Sequence, residues 1–516
     1  MYSVVETAIL RGIDGILVSV EADVSDGGLP VFEMVGFLSS EVKEAKERVR
    51  IALKNCGYQL PVKRITVNLY PADFKKSGSG FDLPIAIAIL CAMKVILQEN
   101  IDETLVAGEI SLSGKILPVN GILPIVDAAK KAKKRRCLVP EANYEEARLV
   151  SGIEVYPLKD INHTINLLKE GNFQFKEDRK DNNKICPDIN NIGDFGNIKG
   201  QKSVKRACEI AMSGEHNILM IGPPGSGKSL IANAIPSILP PLDEEEIMSI
   251  SKIYSICGML NAGDGLVMQR PFRMPHHSLP KGALIGGGSV PRPGEISLAH
   301  TGVLFLDELT EFDKSVIEQL RMPLEKKKIV INRLGGSYEY PADFVLVAAM
   351  SACRCGFFPD MTKCNCTSAA IKSYLSNISQ AMLDRFDMSV EVKRPNFSQL
   401  ISKEKEEDSK DVKERVIAVR NIQKERFKKE NFSYNSQIPS DKIAMYCRLE
   451  DNLEQYLEDI FTKFFLSPRG YYKLLRVSRT IADMDQSEVI KQNHISEAVC
   501  FRGIDKKIWE RSDYDI

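Results

Sequence analysis

The first segment of the chain with residues suited to chemistry is a glycine-rich loop. Its residues are Gly222, Pro223, Pro224, Gly225, Ser226, Gly227, Lys228 and Ser229. The loop joins an apolar segment, residues 217–221, to a segment with the composition of a helix. Glycines let consecutive backbone N–H groups face a phosphate, a lysine can reach the β and γ oxygens of a nucleotide, and a serine hydroxyl can bind Mg²⁺. The loop therefore predicts an ATP site in which Lys228 binds phosphate and Ser229 binds Mg²⁺.

Two adjacent carboxylates, Asp307 and Glu308, follow a second apolar segment, residues 302–306. Taken alone, an Asp-Glu pair after a strand is typical of a solvated turn. Beside a phosphate-binding loop the pair has a chemical use, because phosphoryl transfer depends mainly on positioning and on neutralising charge. We therefore predict that Asp307 helps to hold Mg²⁺ and that Glu308 orients or deprotonates the attacking water.

Two arginines are candidates for the positive charge that hydrolysis needs near the transferred phosphoryl group. Arg385 lies near the end of the region around the phosphate loop, and Arg469 lies at the start of a predicted C-terminal helix. By residue type alone, both are more typical of surface ion pairs. Residue type therefore leaves both roles open.

Four of the twelve cysteines crowd into one short segment as two C-x-C pairs. They are Cys353, Cys355, Cys364 and Cys366. Four thiolates can close a tetrahedral Zn²⁺ site, and Gly356 and Pro359 allow the intervening chain to turn. Such a site would be structural and would brace the segment after Ser351. Because C-x-C is tighter than the usual C-x₂-C spacing, reduced buried thiols or a redox pair remain alternatives.

The composition is that of a globular protein with several domains. The chain has 516 residues, of which 44% are hydrophobic and 27% charged, and one hydrophobic core seldom supports so long a chain. Lys plus Arg and Asp plus Glu number 69 each, so any site for a polyanion must be local. No apolar stretch approaches the roughly 20 residues that cross a bilayer, and the N-terminus lacks the features of a secretion signal. We expect a cytoplasmic protein without a membrane partner.

The pattern along the chain predicts a multi-domain α/β protein. Residues 1–170 alternate apolar strands with helical stretches and predict an α+β domain. Residues 171–193 are too polar and charged to bury a core and predict a linker. Residues 194–395 alternate strands and helices around the phosphate loop, which predicts a mostly parallel sheet with helices on both faces. Residues 396–516 are rich in Lys and Glu and predict a helical domain.

Further segments, together with the phosphate loop, carry a family resemblance. They are residues 79–84, the Pro-His-His-Ser run 275–278, the glycine-rich run 286–300, and residues 476–483. In these segments the chain resembles the magnesium-chelatase-like AAA+ ATPases of the ComM/YifB family, and the resemblance extends over nearly the whole chain. It implies an AAA+ core with a C-terminal helical lid, ATP and Mg²⁺ at the phosphate loop, and assembly into a homo-hexameric ring.

The resemblance also implies roles for three residues. Arg385 takes the position of a finger that acts on the nucleotide of the adjacent subunit. Arg469 takes the position of a second sensor that acts on the nucleotide of its own subunit. The family usually has Asn-Pro at the first-sensor position, where this chain has Ser351 and Ala352. A serine hydroxyl can still hydrogen-bond water but is shorter than an asparagine amide, so we expect slower turnover.

Residues 328–340 read as two short strands around a Gly-Gly turn and predict a hairpin. In similar motors a hairpin at this place points into the central pore, where Arg333 would meet DNA phosphates. The alternative is an exposed edge hairpin that does not bind DNA. By resemblance, the function is that of a motor that moves on single-stranded or branched DNA and drives branch migration when incoming DNA recombines in natural transformation. A chelatase motor subunit is an alternative, although it has no need of residues 1–170.

Residues 108–121 resemble the proteolytic domain of Lon proteases, which use a Ser–Lys pair. On that pattern Gly78 takes the position of the nucleophile and Leu123 that of the lysine, so both reactive groups are missing. Ser79, one position further on, could substitute as the nucleophile, although no lysine is aligned with it. We expect a Lon-like domain without protease activity that serves as a ring-forming or DNA-facing platform, with ATP-dependent proteolysis as the alternative.

Overall fold

The structure is a computed structural model and describes residues 1–26, 29–171, 173, 193–260, 265–333, 335–401 and 406–502. The predicted linker, residues 171–193, lies outside the described residues except for residues 171, 173 and 193. Among the described residues, no helix combines the length and the apolar character needed to span a bilayer.

The front region is built on one mixed sheet. Within residues 1–26 and 29–171 the strands are β1 (Tyr2–Arg11), β2 (Asp14–Ser25), β3 (Phe32–Val35), β4 (Arg64–Tyr70), β5 (Thr104–Val106), β6 (Glu109–Ile110), β7 (Ile116–Leu117), β8 (Arg136–Pro140) and β9 (Glu154–Leu158). The sheet has the order β3-β4-β2-β1-β5-β8-β9. In it β2 is antiparallel to β1 and β4, and the other neighbours are parallel. Strands β6 and β7 pair separately.

Helices cover both faces of the front sheet. They are α1 (Ser40–Asn55), α2 (Asp82–Ala92), α3 (Ile122–Lys131), α4 (Tyr144–Ala147) and α5 (Ile161–Glu170). Successive residues of β8 point to opposite sides, as the two-residue repeat of a strand requires. Leu138 joins the core that contains α1 and α2, whereas Cys137 and Val139 join the core that contains α3. Every residue of α2 is buried, in agreement with its apolar composition on all sides after Asp82.

The central region contains a parallel sheet of order β11-β14-β17-β10-β18. The strands of the region are β10 (Ile218–Ile221), β11 (Phe272–Arg273), β12 (Gly286–Gly287), β13 (Arg292–Pro293), β14 (Val303–Leu306), β15 (Lys328–Arg333), β16 (Gly336–Pro341), β17 (Val345–Met350) and β18 (Met388–Glu391). This sheet confirms the predicted α/β class. Because β10, β17 and β14 are adjacent and parallel, the residues that follow them meet at one edge.

Helices pack on both faces of the central sheet. Those of the central region are α6 (Lys202–Gly214), α7 (Lys228–Ala234), α8 (Glu244–Ile256), α9 (Lys281–Ile285), α10 (Glu295–Leu298), α11 (Lys314–Ile317), α12 (Arg321–Lys326), α13 (Ser368–Leu375) and α14 (Gln380–Leu383). In the described residues after 395, the helices are α15 (Phe397–Leu400), α16 (Ser409–Arg426), α17 (Ile443–Tyr446), α18 (Glu454–Lys463), α19 (Pro468–Met484) and α20 (Gln492–Cys500). Val416 of α16 and Ile481 of α19 share one core with Ile218 of β10, whereas Leu219 faces the opposite core.

Helices α3 and α8 join the front region to the central region. The backbone N–H of Gly121, which precedes α3, donates to the Ser255 carbonyl of α8 at 3.1 Å. Lys252 Nζ of α8 lies 2.6 Å from Asp127 Oδ2 of α3, and both side chains are largely buried. An ion pair removed from water in this way holds two elements in a fixed relation, because separating them would leave a charge unpaired.

The predicted hairpin is present as β15 and β16, and it lies against the turn between β1 and β2. Gly12 in that turn has a φ of +68°, and a Cβ there would overlap the Glu339 carbonyl oxygen. Arg11 Nε donates to the Ser337 carbonyl at 3.4 Å. The hairpin is therefore a contact between the central and front regions rather than an isolated edge.

Candidate nucleotide site

The phosphate-binding loop follows β10 at the carboxyl edge of the parallel sheet. Gly225 and Gly227 have φ values of +71° and +94°, in the left-handed region that favours glycine. Gly222 is required by close approach, because a Cβ there would overlap the Val392 carbonyl oxygen just after β18. Three glycines thus set the path of the loop.

Lys228 begins α7 with its side chain folded over the loop. Its Nζ donates to the carbonyl oxygens of Gly222 at 2.8 Å and Pro223 at 3.0 Å. Burial lowers the pKa of Lys228, and the negative charges of Asp307 and Glu308 oppose that shift. The loop therefore contains a cation that an anionic ligand would stabilise.

The structure brings Ser229 and Asp307 together. Ser229 Oγ donates to Asp307 Oδ2 at 2.6 Å, although the two residues are 78 positions apart in the chain. The other oxygen, Asp307 Oδ1, accepts the backbone N–H of Glu308 at 2.9 Å. The order β14-β17-β10 explains the contact, because Asp307 and the phosphate loop both follow strands of the same parallel sheet.

Glu308 and His277 lie next to each other beside the phosphate loop. Glu308 has a φ of +52°, and its side chain is 68% exposed. His277 Nδ1 lies 3.9 Å from Glu308 Oε2, and its ring contacts the ring of His276 with 4.0 Å between centroids and 34° between the ring planes. The sequence pattern assigned no chemical role to His277, which reaches the site only through the fold.

Residues 224–229 of the phosphate loop line a cleft of about 520 Å³ together with His277, Asp307, Glu308, Ser351, Arg354 and Tyr374. A cleft of this volume is typical of small-molecule and cofactor sites, which measure about 300–1,000 Å³. Ser351 directly follows β17, so it reaches the same edge of the sheet as the loop and Asp307. The hydroxyl oxygen of Ser229 and the carboxylate oxygens of Asp307 are ligands of the kind that Mg²⁺ prefers. The backbone N–H groups of the glycine-rich loop can bind phosphate.

Arg354 is a cleft residue that the sequence analysis did not assign. Its side chain is exposed, and it makes no hydrogen bond or ion pair with any residue that the structure describes. Its place in the chain, three residues after Ser351, was a usable signal, because segments after parallel strands meet at the same edge.

The four clustered cysteines converge, and their ligand atoms all lie within 4.8 Å of one another. The sulfur of Cys353 lies 3.3 Å from that of Cys355 and 3.7 Å from that of Cys364. The Phe358 N–H also donates to the Cys353 sulfur at 3.4 Å. The segment thus presents a set of sulfur ligands of the kind that binds Zn²⁺.

The structure places Arg385 and Arg469 together, but outside the cleft. Arg385 Nη2 donates to Glu325 Oε2 at 2.8 Å, and Arg469 Nη2 lies 3.9 Å from Glu325 Oε1. Neither arginine is among the described residues that line the cleft. The family resemblance implies that Arg469 acts on the nucleotide of its own subunit, and this geometry differs, because α19 begins beside Glu325 of α12 rather than beside the phosphate loop.

Arg333, the DNA candidate, lies at the end of β15, and residue 334 lies outside the described residues. Its Nε donates to the Gly288 carbonyl at 3.2 Å and its Nη1 to the Asn332 carbonyl at 3.0 Å. The side chain is exposed. Arg333 therefore lies on the surface where the hairpin meets the segment after β12.

A second cleft, of about 470 Å³, lies where the front and central regions meet. Ser79 lines it and donates a hydrogen bond to the Glu109 carboxylate. Gly78, at the aligned position of the Lon nucleophile, has no side chain. Leu123, at the aligned position of the lysine, is fully buried in the front core. These two positions supply neither a nucleophile nor a base.

Three family models match the chain, and the descriptions of all three refer to a magnesium chelatase subunit. "Subunit ChlI of Mg-chelatase" matches residues 20–143, "Magnesium chelatase, subunit ChlI" matches residues 194–400, and "Magnesium chelatase, subunit ChlI C-terminal" matches residues 406–502. The magnesium-chelatase 38 kDa subunit of Acidiphilium rubrum is 23% identical over 337 residues, which cover 58% of this chain and 87% of that protein.

Two relatives match over nearly their whole length. The uncharacterized protein YifB of Escherichia coli strain K12 is 39% identical over 506 residues, covering 98% of this chain and 97% of YifB. The competence protein ComM of Haemophilus influenzae is 39% identical over 496 residues, covering 96% of each chain. From these matches and the three family models, the chain belongs to the ComM/YifB family of magnesium-chelatase-like proteins.

Proposed function

We propose that this protein is an AAA+ ATPase that hydrolyses ATP to ADP and phosphate in the cleft beside the phosphate loop. The contact of 2.6 Å between Ser229 Oγ and Asp307 Oδ2 carries this proposal. A serine of the phosphate loop and an acidic residue that follows another strand of the same sheet are the pair that holds Mg²⁺ in nucleoside triphosphatases of this kind. Mg²⁺, when bound with ATP, supplies positive charge to the β- and γ-phosphate oxygens.

The chain's own groups have separate tasks in the proposed reaction. Lys228 turns from the loop carbonyls to the phosphate oxygens, where its charge is better neutralised. Glu308, exposed and beside His277, orients a water molecule and accepts its proton as the water attacks the γ-phosphorus and ADP leaves. The Ser351 hydroxyl lines the same cleft and donates a hydrogen bond to the γ-phosphate or to that water.

We further propose a homo-oligomeric ring, hexameric by family resemblance. Arg385 and Arg469 meet at Glu325, and neither lines its own cleft. Positive charge near the γ-phosphate strongly accelerates hydrolysis. In this proposal both arginines face the nucleotide of a neighbouring copy, and Glu325 holds them until that nucleotide binds.

We propose single-stranded or branched DNA as the track of this motor and branch migration as its work. The support is the 39% identity to a protein named for competence over 96% of each chain, together with the exposed guanidinium of Arg333 at the hairpin. Each phosphate that a cationic side chain neutralises releases condensed counterions. DNA binding by the ring should therefore weaken steeply as salt rises.

The experiment compares ATP hydrolysis by the full-length protein without DNA and with single-stranded, duplex and four-way DNA. We expect stimulation by DNA, resolution of the four-way junction only with hydrolysable ATP, and neither in Lys228→Ala. Arg333→Ala should lower the stimulated rate more than the basal rate. Lys328→Ala, on the same strand but paired with Glu339 at 3.0 Å, is the matched control.

Two outcomes would contradict the DNA proposal. If no form of DNA binds the protein or stimulates ATP hydrolysis, the proposal that DNA is the substrate of the motor is wrong. The proposal that the protein hydrolyses ATP would not be affected. ATP-dependent metal insertion into a porphyrin, with partner subunits and indifference to DNA, would support the chelatase alternative instead.

A further inference from the structure

The sulfur atoms of the cysteine cluster have separations close to those of a metal tetrahedron. With Zn–S bonds of about 2.3 Å, the sulfurs of a tetrahedral site lie about 3.8 Å apart. Here the separations are 3.3 Å for Cys353–Cys355, 3.5 Å for Cys355–Cys364 and 3.7 Å for Cys353–Cys364. All four cysteines are free thiols, and Cys366 completes the set.

This cysteine segment packs directly against the phosphate loop. Gly356 has a φ of +80°, and a Cβ there would overlap the ring of Pro224. Arg394 connects the same two segments, because its Nη2 donates to the Pro224 carbonyl at 2.8 Å. Its guanidinium also lies 5.3 Å from the centre of the Phe357 ring. A change in the shape of the cysteine segment would therefore displace the phosphate loop.

Arg354 lies between two of the four ligands. Its neighbours Cys353 and Cys355 fix the backbone on both sides, and its side chain lines the nucleotide cleft without a partner among the described residues. Arg394 is bonded to Pro224, and Arg385 and Arg469 are held by Glu325. Arg354 thus differs from these three arginines, because its guanidinium is available to an anionic ligand in the cleft of its own subunit.

We propose that the four cysteines bind Zn²⁺ and that this site holds Arg354 where its guanidinium binds the phosphate chain of the nucleotide. The proposal rests on the ATPase function proposed above, and it adds a binding residue and a metal on which nucleotide affinity depends. The zinc is structural, because four sulfurs leave no open coordination position. Arg354 contributes charge-assisted hydrogen bonds to phosphate, the stronger class of hydrogen bond.

The first test measures bound metal in the purified full-length protein. We expect one zinc per chain in the unmodified protein and in Cys500→Ser, whose cysteine is exposed and lies outside the cluster. Zinc should be lost from the double variant Cys355→Ser with Cys366→Ser. A zinc content in the unmodified protein no higher than in that double variant would overturn the proposal.

The second test measures equilibrium binding of a fluorescent ATP analogue. Arg354→Ala should weaken binding about tenfold or more, the effect expected from losing charge-assisted hydrogen bonds. Lys363→Ala should not, because Lys363 lies in the same segment but pairs with Asp360 at 3.3 Å and does not line the cleft. Removing the zinc with a chelator should reproduce the Arg354→Ala effect, and added Zn²⁺ should reverse it. The chelator should weaken binding no further in Arg354→Ala.

Lys228→Ala separates a failure of this inference from a failure of the ATPase proposal. Weak binding in Lys228→Ala with full binding in Arg354→Ala overturns the role of Arg354 and leaves the ATPase in place. Full binding in both variants overturns the nucleotide site itself, and the zinc measurement does not depend on that result. Full binding by the zinc-free protein overturns the dependence of nucleotide binding on zinc.

Discussion

The nucleotide cleft and the cleft between the front and central regions have similar volumes, about 520 and 470 Å³, but differ in how their polar groups are engaged. In the cleft near the front sheet, Ser79 donates to Glu109. There Arg48 also donates two hydrogen bonds of 2.8 Å to the fully buried carboxylate of Asp82. In the nucleotide cleft Arg354 has no partner among the described residues, and Glu308 is exposed.

This difference is more informative than cleft volume. A charge that is already paired and removed from water contributes to structure, and a ligand must break that pair before it can use the charge. An unpaired charge beside a glycine-rich loop can bind an anion at once. We therefore assign chemistry to the nucleotide cleft and a structural role to the Ser79–Glu109 and Arg48–Asp82 pairs of the other cleft.

The largest effect is expected for Arg385→Ala, on the chemical step in the nucleotide cleft. Loss of a finger arginine lowers turnover by a factor on the order of 10³ or more, while nucleotide binding should be retained. Mixing Arg385→Ala with Glu308→Gln subunits should restore part of the activity, because some interfaces then contain both intact residues. ATP hydrolysis across mixing ratios is the measurement. No recovery at any ratio would exclude a shared site.

Glu308→Gln should lower turnover by a factor on the order of 10²–10⁴, the usual contribution of a general base, and should retain ATP binding. Glu311→Gln is the matched control, because Glu311 lines the same cleft but does not directly follow β14. Single-turnover hydrolysis together with nucleotide binding separates the two steps. Full turnover in Glu308→Gln would remove the proposed role of that residue.

Arg48→Ala should destabilise the front region by about 3–5 kcal/mol, since it leaves the Asp82 carboxylate buried and unpaired. Nucleotide affinity should not change. Arg50→Ala, in the same helix, removes an exposed pair with Glu47 and should cost no more than about 0.5 kcal/mol. Denaturant unfolding, followed with a probe in the front region, measures the free energy of unfolding of both variants. Equal effects of the two substitutions would contradict a structural role for the Arg48–Asp82 pair.

The smallest effect is expected for Ser79→Ala, which removes one hydrogen bond to a carboxylate worth about 1.5 kcal/mol. ATP hydrolysis should be unchanged, and neither the unmodified protein nor the variant should cut casein. Casein cleavage that disappears in Ser79→Ala would restore the protease alternative and remove the contrast between the clefts.

Local sequence patterns predicted the parts of the site that depend on residues next to one another. The glycines, Lys228 and Ser229 form one continuous loop, and Asp307 and Glu308 directly follow one apolar segment. The patterns could not predict pairs between distant segments. The partners of Arg469 and Ser79 depend on how separate elements pack, which no local repeat encodes.

For a related reason, the sequence could not show that the side chain of Arg354 lacks a partner among the described residues. An arginine in a sequence has the same charge whether it later meets a carboxylate or a ligand. Only the three-dimensional arrangement distinguishes Arg354, which lacks a described partner, from Arg385, whose partner Glu325 is 60 positions away.

The contact of the hairpin with Gly12 has a mechanical consequence. The turn that contains Gly12 joins β1 and β2, strands of 10 and 12 residues that pair along the whole of β1. A displacement of the hairpin toward the front region would therefore press on a turn whose two strands are joined by backbone pairing along the whole of β1. The β1–β2 pair thus limits how far the hairpin can move in that direction.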